Sequence, residues 1–238
     1  AWNDPPENSL RHIKLERPAT VPGALPAVAV EGSAEAWPGS EAAPLLPPFD
    51  VFNKQTRYFE IFNRGSDPFG YTVTADKPWI ILSSNRGNLT DQVKISATVD
   101  WPALPKGLHS GSITISAAGS EMKIGVTAFN PATPDPEKVE GFVEADGYVS
   151  MEAASYTAGH DIGERHWEWI EDYGRIRSGM RTSAVTDAPP AVPGKDSPVL
   201  EYKMYLFSTG EFETILYMAP SLNFLPDRDF RIGLSVDN

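Results

Sequence analysis

The chain has 238 residues, a hydrophobic content of 41% and a formal net charge of −12. This length suffices for one large domain or two small ones with buried cores, and the negative charge disfavours nucleic acid and anionic membranes as partners. The sequence has no cysteine, which excludes disulfides, thiolate catalysis and cysteine-ligated zinc. It also has no apolar run of the length that crosses a membrane.

Residues 1–50 are predicted to form an irregular, proline-rich arm. One short helix is predicted over Pro5–Leu15, because its first residues match an N-cap, a proline at the first helical position and a capping box. The stretch Val21–Pro48 has no sustained period. Its apolar side chains, Trp37 among them, favour docking onto another domain.

Residues 51–130 show the alternation of apolar and polar side chains that is typical of half-buried β-strands. The period of two is clearest at 71–75, 93–99, 113–117 and 122–128, and Gly, Pro and Asn residues between the runs indicate turns. About seven short strands with this spacing predict an immunoglobulin-like β-sandwich.

Residues 131–141 are predicted to be a proline-rich linker, and 142–238 are predicted to be a second domain. Alternation returns at 200–206, 212–218 and 230–236, which indicates a second β-sandwich. The predicted form of this sandwich is jelly-roll-like, of the carbohydrate-binding type. The last run needs a partner strand, so this sandwich is expected to be incomplete at its C-terminus. The predicted fold class is all-β, with two β-sandwich domains after an irregular arm.

The segment 166–173 is the strongest candidate for a binding site. It contains two tryptophans, a tyrosine and three carboxylates. Aromatic rings stack on the apolar faces of sugars and carboxylates accept hydrogen bonds from hydroxyls, so Trp167, Trp169 and Tyr173 are the candidate substrate-binding residues. The alternative is a core role, because Trp167 and Trp169 would share one face of a strand.

Two other sets of polar residues have side chains that can bind a metal. His160 and His166 flank two carboxylates, but their spacing matches no standard zinc signature and Gly163 between them favours a solvated loop. Glu152 resembles a residue in the opening strand of calcium-containing sandwiches, yet Ala154 stands where a second carboxylate would be needed. A capping or ion-paired Glu152 is therefore preferred, and no catalytic residue, metal ligand or cofactor is predicted.

Several motifs occur along the chain in one order. In the second half they are the sequences at 141–153, 173–175, 178–180, 197–202 and 219–224. In the first half they are the sequences at 30–33, 36–39, 48–50, 62–65 and 75–80. With these motifs the chain resembles the C-terminal region of family 115 glycoside hydrolases, the xylan α-1,2-glucuronidases.

The resemblance implies a parent enzyme that removes glucuronic acid, often 4-O-methylated, from xylan with inversion, using two carboxylates and a water. It also implies catalytic domains N-terminal to this chain, a homodimer to which the C-terminal region contributes, and a secreted or periplasmic bacterial protein. On this basis the chain is predicted to be an accessory and dimerisation region that is not itself catalytic. The alternative is an independent carbohydrate-binding module for plant cell-wall polysaccharide, and xylan or glucuronoxylan is the expected partner in either case. A self-contained enzyme is disfavoured.

Overall fold

The computed structural model describes residues 21–173, 178–183, 191–219 and 231–236. Within these ranges the protein is all-β, with one short 3-10 helix and no α-helix, which confirms the predicted fold class. The same ranges contain no helix that is long and apolar enough to cross a membrane. The predicted helix at Pro5–Leu15 lies outside the described residues.

The chain divides into two compact units. The first comprises Ala1–Phe49 and Lys54–Asn130, and the second comprises Asp50–Asn53 and Pro131–Asn238. In the first half of the chain the strands are β1 (Pro26–Val30), β2 (Ala36–Trp37), β3 (Phe49–Asp50), β4 (Arg57–Asn63), β5 (Phe69–Ala75), β6 (Ile80–Leu82), β7 (Arg86–Leu89), β8 (Gln92–Val99), β9 (Gly107–Ala117) and β10 (Ser120–Asn130). The 3-10 helix spans Trp101–Ala103.

These strands form two five-stranded sheets, with the strand orders β2-β1-β4-β8-β6 and β3-β10-β9-β5-β7. Alternate apolar side chains from both sheets meet in one buried core. Phe59 and Ile95 come from the first sheet, and Ile113 and Ile124 come from the second. Burying a side chain of this size contributes roughly 1.5–3 kcal/mol. The first unit is therefore a β-sandwich, and its immunoglobulin-like topology stays a prediction.

The segment predicted as an irregular arm contributes strands to this sandwich from residue 26 onward. Strand β1 pairs antiparallel with β4, with Val28 opposite Ile61. Trp37 is only 7% exposed and belongs to the sandwich core, and its Nε1 donates to the carbonyl of Ala42 at 2.5 Å. The predicted docking of this segment onto another domain is therefore wrong for Trp37. The strand partner of β1 lies far along the chain, so local periodicity among prolines did not reveal it.

The strands of the second half are β11 (Phe142–Val143), β12 (Ala158–His160), β13 (Trp167–Glu171), β14 (Ser178–Thr182), β15 (Val199–Glu201) and β16 (Met204–Tyr205). They form three two-stranded ladders: β11 with β16, β12 with β15, and β13 with β14. The first ladder is parallel and the other two are antiparallel. The jelly-roll-like sandwich stays a prediction.

Two predicted strands are absent from the described part of the second unit. Residues 212–219 and 231–236 form no strand, although the apolar side chains of 231–236 alternate as in a strand. A strand forms only when a neighbour takes up its backbone hydrogen bonds, and no described strand pairs with either run. Their large apolar side chains, such as Leu216 and Leu234, remain exposed.

Gly141 shows how closely the chain approaches itself at the start of the β11–β16 ladder. The amide of Phe142 donates to the carbonyl of Lys203 at 2.9 Å. A Cβ on Gly141 would lie 2.0 Å from that same carbonyl oxygen, and Gly141 has a φ of +83°. Only glycine combines this conformation with so close an approach.

The sandwich core predicts a large effect of truncation at Ile95. Ile95 is fully buried, whereas Ile81 on edge strand β6 is 46% exposed. Ile95→Ala should lower the free energy of unfolding by about 3 kcal/mol, because it removes buried methyl groups and leaves a cavity. Ile81→Ala is the matched control and should change it by less than about 1 kcal/mol. Urea unfolding followed by tryptophan fluorescence measures both, and equal effects would contradict the assigned core.

Candidate functional site

The predicted aromatic segment lies on the ribbon formed by β13 and β14. Residues directly opposite in an antiparallel pair project to the same side, and the register places Trp167 opposite Thr182 and Trp169 opposite Met180. One face of the ribbon, here called the tryptophan face, therefore carries Trp167, Trp169, Glu171, Ser178, Met180 and Thr182. The prediction that the two tryptophans share a strand face is confirmed.

The two tryptophans differ in how far they reach solvent. Trp169 is 61% exposed, so its indole is available for stacking. Trp167 is half-buried, and its Nε1 is buried without a hydrogen-bond partner in the described part of the chain. Trp169 is thus the ring that can meet a ligand, and Trp167 lies beside it with much of its surface covered.

Tyr173 lies on the other side of the ribbon. Gly179 is opposite Ile170, so a Cβ on Gly179 would project away from the tryptophan face, and it would lie 2.9 Å from Cδ1 of Tyr173. The Tyr173 ring, 48% exposed, therefore covers the opposite face. The cause is local: Asp172 has a φ of +55° and turns the chain after β13. The structure brings Trp167 and Trp169 together and separates Tyr173 from them.

The charged side chains of the segment divide in the same way. Glu168, on the face opposite the tryptophans, accepts a hydrogen bond from Nε of Arg181 at 2.6 Å and lies 3.4 Å from Nε2 of His166. The hydrogen bond from Arg181 lowers the pKa of Glu168 below its usual value. Glu171 lies on the tryptophan face, exposed, where its carboxylate can accept hydrogen bonds from a ligand's hydroxyl groups.

The histidines weighed as metal ligands are used in separate pairs. His160 contacts Glu201 at 2.9 Å in the β12–β15 ladder, where both side chains are exposed. His166 contacts Glu168 instead. No group of three potential metal ligands occurs among the residues that the structure describes. Glu152 accepts hydrogen bonds from the amide and hydroxyl of Ser178 at 3.3 and 3.4 Å, a capping role of the kind predicted for it.

A second carboxylate with a definite role was not singled out from the sequence. Glu144 accepts hydrogen bonds from the amides of Phe207 and Ser208 at 2.7 and 2.8 Å, and from the Ser208 hydroxyl. The hydroxyl hydrogen bond is the main cause that lowers the pKa of Glu144. Glu144 lies within the motif at 141–153, but its partners follow some sixty positions later, so no local signal revealed its role.

Residues 141–238 match the family model described as the glycosyl hydrolase family 115 C-terminal domain. This range is therefore similar to the family 115 C-terminal domain, and it is called the family 115 domain below. The predicted resemblance is thereby confirmed over this range, which contains the tryptophan face, all three ladders, and Glu144 with its partners Phe207 and Ser208. The domain links the chain to a glycoside hydrolase. A comparison with curated protein sequences gives no match.

Among solved structures, similarity is low throughout. A Bacteroides ovatus GH5 xyloglucanase in complex with a heptasaccharide is 15% identical, with a TM-score of 0.32 over 58% of this chain and 27% of that chain. The ASH/PapD-like domain of human CEP192 is 12% identical, with a TM-score of 0.33 over 52% and 97%. The YadV chaperone is 7% identical, with a TM-score of 0.32 over 74% and 98%. Similarities of this size carry no argument about fold or function.

The Glu168–Arg181 pair predicts a measurable pKa change in the family 115 domain. Arg181→Ala should raise the pKa of Glu168 towards the ordinary glutamate value, because the carboxylate loses its strongest hydrogen-bond donor. In the native chain the lowered pKa stabilises the fold above the pKa of the unfolded state, and this contribution is lost as pH falls through the folded-state pKa. A carboxyl-carbon NMR titration measures it. Lys203→Ala is the control: the Lys203 ammonium pairs with Glu140, so its loss should leave the pKa of Glu168 unchanged. An unaltered Glu168 pKa in Arg181→Ala would contradict the pairing.

Proposed function

We propose that the chain is a non-catalytic accessory region of a glycoside hydrolase that removes glucuronic acid side chains, with or without a 4-O-methyl group, from xylan. The observation that carries this proposal is the match of residues 141–238 to the family 115 C-terminal domain. Catalytic domains of the same protein then lie N-terminal to this chain. Homodimer formation and bacterial export belong to the same proposal.

The carboxylates of the second unit support a structural role. A glycosidase needs two carboxyl groups that flank the scissile bond at a defined separation. Glu144 holds the backbone at Phe207 and Ser208, and Glu152 and Glu168 hold groups on β14. Three acids that could have been considered for catalysis are thus engaged with the chain itself.

The proposal predicts that the chain alone releases no uronic acid. The purified chain, shown to be folded by circular dichroism, is incubated with 4-O-methylglucuronoxylan, and free uronic acid is quantified by chromatography. An active xylan α-glucuronidase serves as the positive control for the substrate. Sustained release of 4-O-methylglucuronic acid by this chain would contradict a non-catalytic role, and would direct attention to its carboxylates.

A second candidate function is carbohydrate binding by the family 115 domain itself. The exposed Trp169 ring supports it, because an indole offers a broad apolar surface to the C–H face of a sugar. Glu171 lies two positions along the same face of β13 and can accept hydroxyl hydrogen bonds beside that ring. The proposed ligand is a xylan or glucuronoxylan oligosaccharide, and the half-buried Trp167 lies on the same face of β13 as Trp169.

This second candidate predicts that carbohydrate binding by the family 115 domain depends on the tryptophan face of the β13–β14 ribbon and not on its opposite face. Trp169→Ala should weaken glucuronoxylan oligosaccharide binding by about five- to thirtyfold, because stacking contributes on the order of 1–2 kcal/mol. Tyr173→Ala is the matched control: it removes an exposed aromatic ring from the opposite face and should leave the affinity unchanged. Isothermal titration calorimetry measures both. Equal losses in the two variants would contradict the assignment, and no heat from the folded native chain would leave only the structural role.

A further inference from the structure

The outward face of the second sheet in the first unit carries a row of polar side chains across four strands. The register places Thr72 on β5 between Arg86 on β7 and Ser116 on β9, and Ser116 is opposite Glu121 on β10. Tyr71, Ala117 and Met122, which follow or precede Thr72, Ser116 and Glu121 in the sequence, are buried in the core. The alternation that fills the core therefore also sets this row on the surface.

A shallow groove that is largely open to solvent, with a volume of about 820 Å³, follows this row. It exists because small residues form its floor between longer side chains. Gly70 is opposite Asn88 and has no side chain, and the β9–β10 turn is tight, with Ala118 and Gly119 at φ values of 45° and 78°. The residues that matter for recognition are Gly70, Thr72, Arg86, Asn88, Ser116 and Glu121.

The polar groups at the two sides of the groove are free to bind a ligand. Within the residues that the structure describes, the side chains of Arg86, Asn88 and Glu121 make no hydrogen bond or ion pair with the protein. Strands lie about 4.8 Å apart, so Arg86 and Glu121, three strands from each other, stand roughly 14 Å apart. They cannot neutralise one another directly, yet they face the same groove.

We propose that this groove binds a neutral oligosaccharide, the unsubstituted backbone of the polysaccharide on which the parent hydrolase acts; the identity of that polysaccharide rests on the proposed function. The guanidinium, carboxamide and carboxylate each present two adjacent polar atoms, which match two neighbouring sugar hydroxyls. One cation and one anion give the groove no net charge, so an acidic substituent gains nothing there. The floor hydroxyls of Thr72 and Ser116 can both donate and accept.

The test uses amide NMR of the full 238-residue chain titrated with xylohexaose. We expect shifts at the amides of Thr72, Asn88 and Ser116, with a Kd on the order of 1 mM, since a few solvent-exposed hydrogen bonds supply about 4 kcal/mol in this range. The same titration with an oligosaccharide that carries uronic acid should give no tighter binding at the groove.

A groove-filling variant and a matched control locate the site. A Cβ on Gly70 would lie 3.4 Å from the Asn88 side chain and 3.8 Å from the carbonyl oxygen of Gly87, and Gly70 has no left-handed φ. Gly70→Gln is therefore compatible with the strand and places its side chain in the groove. It should weaken binding at least about tenfold, the effect of losing roughly 1.4 kcal/mol. Thr74→Gln, on the same face of β5 but outside the groove, should leave the Kd unchanged. Arg86→Ala provides a second variant that leaves the strand backbone alone and should also weaken binding.

Each other outcome overturns the groove site. Chemical-shift changes confined to the amides of Trp169 and Met180 would show that the oligosaccharide binds the tryptophan face and not the groove. If no amide of the folded chain shifts, both proposed binding sites are contradicted. The assay for uronic acid release would still test the accessory role. Groove shifts that persist in Gly70→Gln and Arg86→Ala would show that the ligand binds elsewhere.

Discussion

The burial of alternate side chains between two five-stranded sheets is the interaction on which the first unit depends. Ile95, Ile113 and Ile124 are fully buried in this layer, and each strand that contributes to it must turn its other side chains to solvent. The outward face of the second sheet is a consequence of the same constraint. Thr72 and Ser116 lie at the surface because their neighbours lie in the core, and the groove proposed as a sugar site follows from it.

The family 115 domain is organised by a different interaction. Its described ladders are short, and polar contacts between distant parts of the chain connect them. Glu144 holds the backbone after β16, Glu152 caps β14, and the Tyr202 hydroxyl donates to the carbonyl of Ala153 at 2.6 Å. The hydrogen bond from the Ser208 hydroxyl holds the pKa of the Glu144 carboxyl below its usual value. This use of acids in structure, rather than in a facing pair, fits an accessory part of a hydrolase.

The candidate binding segment shows how far periodicity reaches. A period of two correctly placed Trp167 and Trp169 on one face of a strand, because side-chain direction within a strand is a local property. The solvent exposure of each ring depends on tertiary contacts and not on the local sequence: Trp169 is exposed and Trp167 is half-buried. Tyr173 follows a turn at Asp172 and lies on the opposite face. The three rings predicted together therefore divide into a pair and a single residue.

The amino-acid sequence by itself determined the all-β class, the strands at 93–99, 113–117 and 122–128, and the relationship of residues 141–238 to family 115, because alternation and ordered motifs are written locally along the chain. Only the tertiary structure decided which strands find partners. It paired β1 with β4 and buried Trp37, and it left 212–218 without the strand that was predicted there. The physical reason is that a strand is stable only when a second segment, often distant in sequence, satisfies its backbone hydrogen bonds and covers its apolar face.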